Sequence, residues 1–324
     1  MYQQPNSENP HLTTETRQFL DELAKQKAAP LDTLSYEEAR KVLLGAQNQT
    51  EITARLTCDI QDTLFPVGPN GRVDVRFYRP QNNHEVLPLV VYYHGGGWVM
   101  GNKKTHERLM RELCIGSGCA ILFVNYLSSP EGQYPNVLEE GYDALEYVIH
   151  HAADYHVNPN AVLVAGDSVG GNMAAVLSLM SKERHGPALS KQILLYPVTD
   201  ASMSSPSYRD FANGPWLTQK AMAYFWDAYA PNTNVRQEIY ASPINASTEQ
   251  LAGLPPAFVI TAENDVLRDE GEAYADKLMQ AGNSVTAVRY KGTIHDFMML
   301  DGLAQTTPAQ AAIKQTIAEI KAAF

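Results

Sequence analysis

Cysteine, cationic excess and long apolar runs are what this chain has least of. Three cysteines in 324 residues are too few for a disulfide framework, and Cys114 and Cys119 have no second pair to complete a zinc site. Reduced thiols in a cytoplasm are the expectation. Lys and Arg number 25 against 36 Asp and Glu, a formal charge of −11, so neither a nucleic-acid backbone nor an anionic membrane surface is an expected partner. No apolar run is long enough for membrane insertion. The opening stretch MYQQPNSENPHLTTETRQFL has neither the basic nor the apolar region of a secretory signal, and its polar first ten residues are expected to fray. Internal repeats, low-complexity tracts, a phosphate loop and a G-x-G-x-x-G dinucleotide fingerprint are also missing.

What is present is a chain with 44% hydrophobic residues, enough to bury a large core. Helical spacing from about Thr14 to Gln47 predicts two helices. Strand-like runs follow at Val73–Tyr78, Leu87–Tyr93, Ala120–Val124, Ala161–Ala165, Gln192–Tyr196, Ala257–Thr261 and Ser284–Tyr290. Helical patterns near Lys104–Gly116 and Val137–His150 separate several of them, which predicts an α/β fold with a mostly parallel central sheet flanked by helices. The alternation stops between Asp200 and Ile244. That segment holds Tyr208, Trp216, Tyr224, Phe225, Trp226 and Tyr229 and reads as part of a lid.

The octapeptide Val164–Gly171, VAGDSVGG, contains Gly-x-Ser-x-Gly. At about 7% glycine and similar serine usage that pattern arises by chance in roughly one chain of this length in ten. Its context carries more weight. Ser168 follows an apolar strand and precedes a helical run, so the glycines would allow the sharp turn that lifts a serine above a sheet. A serine hydroxyl attacks poorly unless a base removes its proton and an acid orients that base. Of nine histidines, only His295 sits directly after a late strand. Asp265 follows the strand Ala257–Thr261, with Glu263 and Asp269 as rivals for the role. The order Ser168, Asp265, His295 is the one expected of an α/β hydrolase. His94-Gly95-Gly96-Gly97-Trp98 follows the strand ending at Tyr93, where backbone N–H groups can turn toward a substrate oxygen.

These motifs carry a resemblance. HGGGW at His94–Trp98, GDSVGG at Gly166–Gly171, DVLRDEG at Asp265–Gly271 and the stretch Gly292–Phe297 are similar to those of the hormone-sensitive-lipase-like carboxylesterases, the bacterial type IV group of the α/β-hydrolase superfamily. The likeness runs from about Leu87 to Leu300. It implies Ser168 as nucleophile, His295 as base and then acid, and Asp265 as the residue that orients the imidazole. It implies an oxyanion hole from the N–H groups of Gly96, Gly97 and Val169, and no metal or organic cofactor. The same likeness implies a helical cap from about 1–50 and 200–244 over a catalytic core of about 51–199 and 245–324, and a homodimer joined at the sheet edge. Trp98, Trp216 and Phe297 are the expected substrate-pocket aromatics.

Several positions depart from the family. Val169 stands where alanine is usual, Val266 replaces proline, and Leu127-Ser128-Ser129 replaces Arg-Leu-Ala. The branched Val169 implies a narrow acyl site and short acyl groups. Asp296 stands where glycine is usual. It could stabilise an imidazolium, compete with Asp265 or point into solvent, and solvent is the expectation. His150 and Asp154, four apart, read as a solvated helix end rather than a metal site. The overall expectation is a serine carboxylesterase acting on short-chain esters. An amidase or formamidase using the same triad, and a non-catalytic binding protein on the same fold, are the alternatives.

Overall fold

The computed structural model describes residues 11–47 and 50–324; the first ten residues, expected to fray, lie outside the described residues. Eight strands form one sheet: β1 (Cys58–Phe65), β2 (Val73–Pro80), β3 (Leu87–Tyr93), β4 (Ala120–Val124), β5 (Val157–Asp167), β6 (Gln192–Leu195), β7 (Ala257–Asn264) and β8 (Val285–Ile294). Their spatial order is β1-β2-β4-β3-β5-β6-β7-β8. β2 runs antiparallel to β1 and β4, and every other pairing is parallel. Strands covered by helices on both faces must be apolar on both, so β4 (AILFV) and β6 (QILL) are buried at every residue. The edge strand β1 keeps a largely exposed face. β5 begins before the predicted Ala161, because Val157 already pairs with Leu87 ahead of a register shift.

Among the described residues of the N-terminal segment lie the helices α1 (Thr14–Lys25), α2 (Tyr36–Ala46) and α3 (Thr50–Arg55). α2 starts at a capping box, in which Ser35 and Glu38 each satisfy the other's backbone N–H. The helices between β3 and β6 are α4 (Glu107–Ser117), α5 (Asn136–His150) and α6 (Val169–Glu183). α6 is buried through thirteen residues, Val169 to Ser181, which makes it the central helix of the core. Small residues such as Ala174 and Ala175 let it lie close to the sheet.

The segment predicted to interrupt the alternation is helical: α7 (Pro206–Asp210) and α8 (Gln219–Tyr229). The short α9 (Thr248–Leu251), then α10 (Arg268–Gln280) and α11 (Thr307–Lys321), complete the fold. Among the described residues no helix is long and apolar enough to cross a membrane. His150 and Asp154 are exposed at the end of α5.

The chain leaves β3 for β4 on one side and then crosses to β5 on the other. Where the winding reverses, the two loops leave adjacent strands toward opposite sides, the usual ligand position in such sheets. The glycine loop and the Ser168 turn both meet there.

A buried arginine holds the stretch after β8. Arg108 of α4, 2% exposed, donates to Asp301 at 2.8 Å, to Glu112 at 2.5 Å and to the carbonyls of Met298 and Met299 at 2.6 and 2.8 Å. Removing one member of a buried ion pair leaves the other charge uncompensated. Arg108→Ala is therefore expected to cost about 3–5 kcal/mol in denaturant unfolding. Arg184→Ala, whose pair with Glu139 is one-third exposed, should cost no more than about 1 kcal/mol.

Candidate active site

Ser168 occupies the turn between β5 and α6 with φ +55° and ψ −120°. A non-glycine residue holds so costly a conformation only when its surroundings over-determine it. Here its N–H donates to Leu195 O at 2.8 Å, and its carbonyl accepts from Asn172 and Val198. The turn also lies hard against the end of β3. A methyl group at Gly170 would come within 2.0 Å of the Tyr93 carbonyl oxygen, so only glycine fits.

Three side chains from the ends of three strands meet at this turn. His295, directly after β8, places Nε2 2.9 Å from Ser168 Oγ. Its Nδ1 lies 2.7 Å from Oδ2 of Asp265, directly after β7. Oδ1 of Asp265 accepts the Leu267 N–H at 3.0 Å. All three residues are buried. The rival acids are engaged elsewhere: Glu263 with Lys291 and the Gly292 N–H, Asp269 with Arg268 and the Ser207 N–H. Burial alone would push the proton off His295. The charge of Asp265, followed by that of Asp296, outweighs it and raises the imidazole to about 9.

The glycine loop is pinned by the residue before Ser168. Asp167 accepts the Gly95 N–H at 3.0 Å and the Tyr92 hydroxyl at 2.8 Å through Oδ1, and faces His106 Nε2 at 3.2 Å through Oδ2. His106 in turn meets the Thr105 hydroxyl at 2.8 Å. Burial disfavours the Asp167 charge, but His106 and Tyr92 prevail and hold its pKa below the ordinary value. His94 stacks on Tyr126 at 4.1 Å, and the Tyr126 hydroxyl donates to His94 O at 2.7 Å. Past the glycines, Arg40 of α2 donates to Val99 O at 3.0 Å and to Ser129 O at 2.9 Å, and pairs with Glu131. Gly96, Gly97 and Trp98 all have positive φ, and the loop turns back on itself as the Val99 and Met100 N–H groups donate to Gly96 O.

The three predicted pocket aromatics differ in setting. Trp98 is fully buried, stacked on Tyr229 at 3.9 Å beside Trp226, and Phe297 is buried between Tyr196 and Tyr290. Trp216 is half-buried, and its indole N–H donates to Asp296 at 3.0 Å. That contact corrects the expectation that Asp296 points into solvent. Asp296 is 7% exposed, turned inward by a φ of +64°, and burial raises its pKa against the opposing pull of His295. Sequence reasoning also passed over Asp167, His106 and Arg40. Asp167 lies inside the recognised GDSVGG stretch, whereas His106 and Arg40 carry no local signal.

A folded-state pKa below the ordinary value of about 3.9 means that Asp167 stabilises the fold in full above that pH and loses the contribution as acid protonates it. Asp167→Asn is accordingly expected to lower stability by about 1–3 kcal/mol at neutral pH. The gap to the parent protein should narrow below about pH 4, as thermal unfolding across pH would record.

Comparison with known proteins agrees with this architecture. The alpha/beta hydrolase fold family matches residues 90–299. A thermostable esterase from Pseudomonas putida ECU1011 superposes with a TM-score of 0.93 at 44% identity, covering 97% of this chain and 98% of that one. Carboxylesterase NlhH of Mycobacterium tuberculosis is 36% identical over 262 residues, 80% of this chain and 81% of its own. An ethyl acetate hydrolase of Pseudomonas putida is 29% identical over 86% of this chain and 87% of its own. Identity at that level over most of the chain, together with the shared fold, makes this protein a member of the alpha/beta hydrolase fold family and, within it, of the hormone-sensitive-lipase-like carboxylesterases.

Proposed function

We propose that the protein is a serine carboxylesterase that hydrolyses short-chain carboxylic acid esters through an acyl-enzyme on Ser168. The observation that carries this reading is the continuous line of contacts from Asp265 through His295 to Ser168, at 2.7 and 2.9 Å. Ser168 Oγ attacks the ester carbonyl while His295 Nε2 takes its proton, and Asp265 keeps the imidazole oriented and steadies the imidazolium. The oxygen's new charge is received by the backbone N–H groups of Gly96, Gly97 and Val169. The tetrahedral species collapses, His295 returns the proton to the departing alcohol, and an ester forms on Ser168. Water then repeats the sequence with the acyl-enzyme, releasing the acid. These steps call for no metal or organic cofactor.

Substrate access is assigned to a cap made from the N-terminal helices and the 200–244 segment. Contacts between the two segments support it: Tyr36 packs on Tyr224 at 5.0 Å, the Tyr224 hydroxyl donates to Leu34 O at 3.3 Å, and Phe19 lies 6.1 Å from Trp216. The preference for short acyl groups rests on the branched, buried side chain of Val169 beside Ser168. The likeness to an ethyl acetate hydrolase points the same way.

A p-nitrophenyl ester series from acetate to laurate tests both parts. Ser168→Ala should lower the rate by at least about 10³-fold, and equal rates in the two proteins would overturn the assignment of the nucleophile. Acetate or butyrate should turn over faster than octanoate. Val169→Ala should raise kcat/KM for octanoate relative to acetate by roughly tenfold, whereas an octanoate optimum in the parent protein would sink the short-chain reading.

A further inference from the structure

Asp296 is a buried carboxylate that the steps above do not use. The family resemblance implies glycine at this position, and the φ of +64° gives the reason: left-handed backbone costs an ordinary residue about 1–2 kcal/mol. The residue nevertheless carries a charge-bearing group into the site. Its Oδ2 accepts the Trp216 indole N–H at 3.0 Å. Its Oδ1 has no hydrogen-bond partner among the described residues and stands 3.4 Å from His295 Nε2. Ser168 Oγ is 2.9 Å from that same nitrogen. Two oxygens therefore face one edge of the imidazole while Asp265 faces the other.

The other charged and titratable groups around the pair do not neutralise it. Asp167 at the end of β5 is occupied by His106 from the loop entering α4. Tyr196, just past β6, sits edge-on to the imidazole at 5.1 Å. Arg108 of α4 is committed to Asp301, Glu112 and two carbonyls. Among the described residues, the ion-pair partner recorded for Asp296 is His295. An unprotonated Nε2 facing an ionised Oδ1 would oppose two lone pairs in a site from which water is largely excluded. One proton between them removes the conflict.

Resting on the esterase reading, we propose that Asp296 is a positioning residue that keeps a proton on the Ser168 side of His295 in the resting enzyme and so sets the pH at which hydrolysis begins. The raised pKa of His295, to which the Asp296 charge contributes after that of Asp265, agrees with this geometry. Before attack, this proton leaves to solvent. Ser168 Oγ then bonds to the carbonyl carbon, and the serine's own proton occupies the vacated position on Nε2. There Asp296 adds to the stabilisation that Asp265 provides from the opposite edge. The residue thus withdraws activity at low pH and strengthens the base at high pH.

The test is the pH dependence of kcat/KM for p-nitrophenyl acetate in the parent protein, Asp296→Asn and Asp296→Gly. Asparagine tolerates left-handed backbone and can still accept from Trp216, and glycine relieves the turn altogether. Both variants remove the charge, so the acid limb of both should move to lower pH by about one unit. A merely structural role would lower activity evenly across pH, and an acid limb unchanged in both variants overturns the proposal. Ring ¹⁵N NMR provides a readout independent of turnover: His295 should titrate at lower pH in Asp296→Asn than in the parent protein, and identical titrations overturn it. Lack of esterase activity in the parent protein would instead sink the hydrolase reading and leave the ring titration to decide the role of Asp296.

Discussion

One buried carboxylate joins the two turns on which the site is built. Asp167 ends β5, so its backbone leads directly into the Ser168 turn, while its side chain reaches across to the Gly95 N–H and the Tyr92 hydroxyl at the end of β3. Those strands are neighbours at the point where the winding reverses, and their loops would otherwise diverge into solvent. A buried charge survives only when it is hydrogen-bonded and paired, and His106 completes that set. The same atoms that satisfy Asp167 therefore fix the glycine loop relative to the serine. Crowding enforces the arrangement from the other side, since Gly170 leaves no room for even a methyl group beneath Tyr93.

Around that joint the N-terminal helices act as braces. Arg40 ties α2 to Val99 and Ser129, and Gln47 donates to Thr105 O and Met299 O at 2.6 and 2.9 Å. Residues distant in sequence thus hold both the loop beyond Trp98 and the stretch beyond His295. These are polar contacts to backbone carbonyls, which specify position more than they add stability. Preorganised N–H groups act on a developing charge only if they need not move to meet it, and the role proposed for the Gly96 and Gly97 N–H groups asks for such bracing.

Much of this was legible in the chain. The buried strands announced themselves because a parallel sheet covered on both faces demands unbroken apolar runs such as Ala120–Val124, which the structure reproduces residue for residue. Ser168, Asp265 and His295 were legible because each follows such a run directly. What escaped is what depends on partners far apart in sequence. Trp216 and Asp296 are 80 positions apart, and neither residue alone signals that the carboxylate turns inward. His106 looks like any histidine ahead of a helix until Asp167, 61 positions later, is folded against it. The segment after Asp200 could be recognised as an interruption but not resolved into α7 and α8, because its prolines and asparagines mask the helical period.

The placement of His295 has a consequence for how the three-residue cluster comes apart. β8 is an edge strand that, among the described residues, pairs with β7 alone, so the imidazole hangs from an edge of the sheet while Ser168 stands at its centre. Near that end the strand is secured by the Thr13 N–H on Gly292 O at 3.1 Å and by Glu263 on the Gly292 N–H at 2.8 Å. Edge strands open by local fluctuation at a lower free energy than the global unfolding of the core. Opening of this one strand and its tether to Thr13 would therefore carry His295 away from Ser168 while the central sheet stays folded.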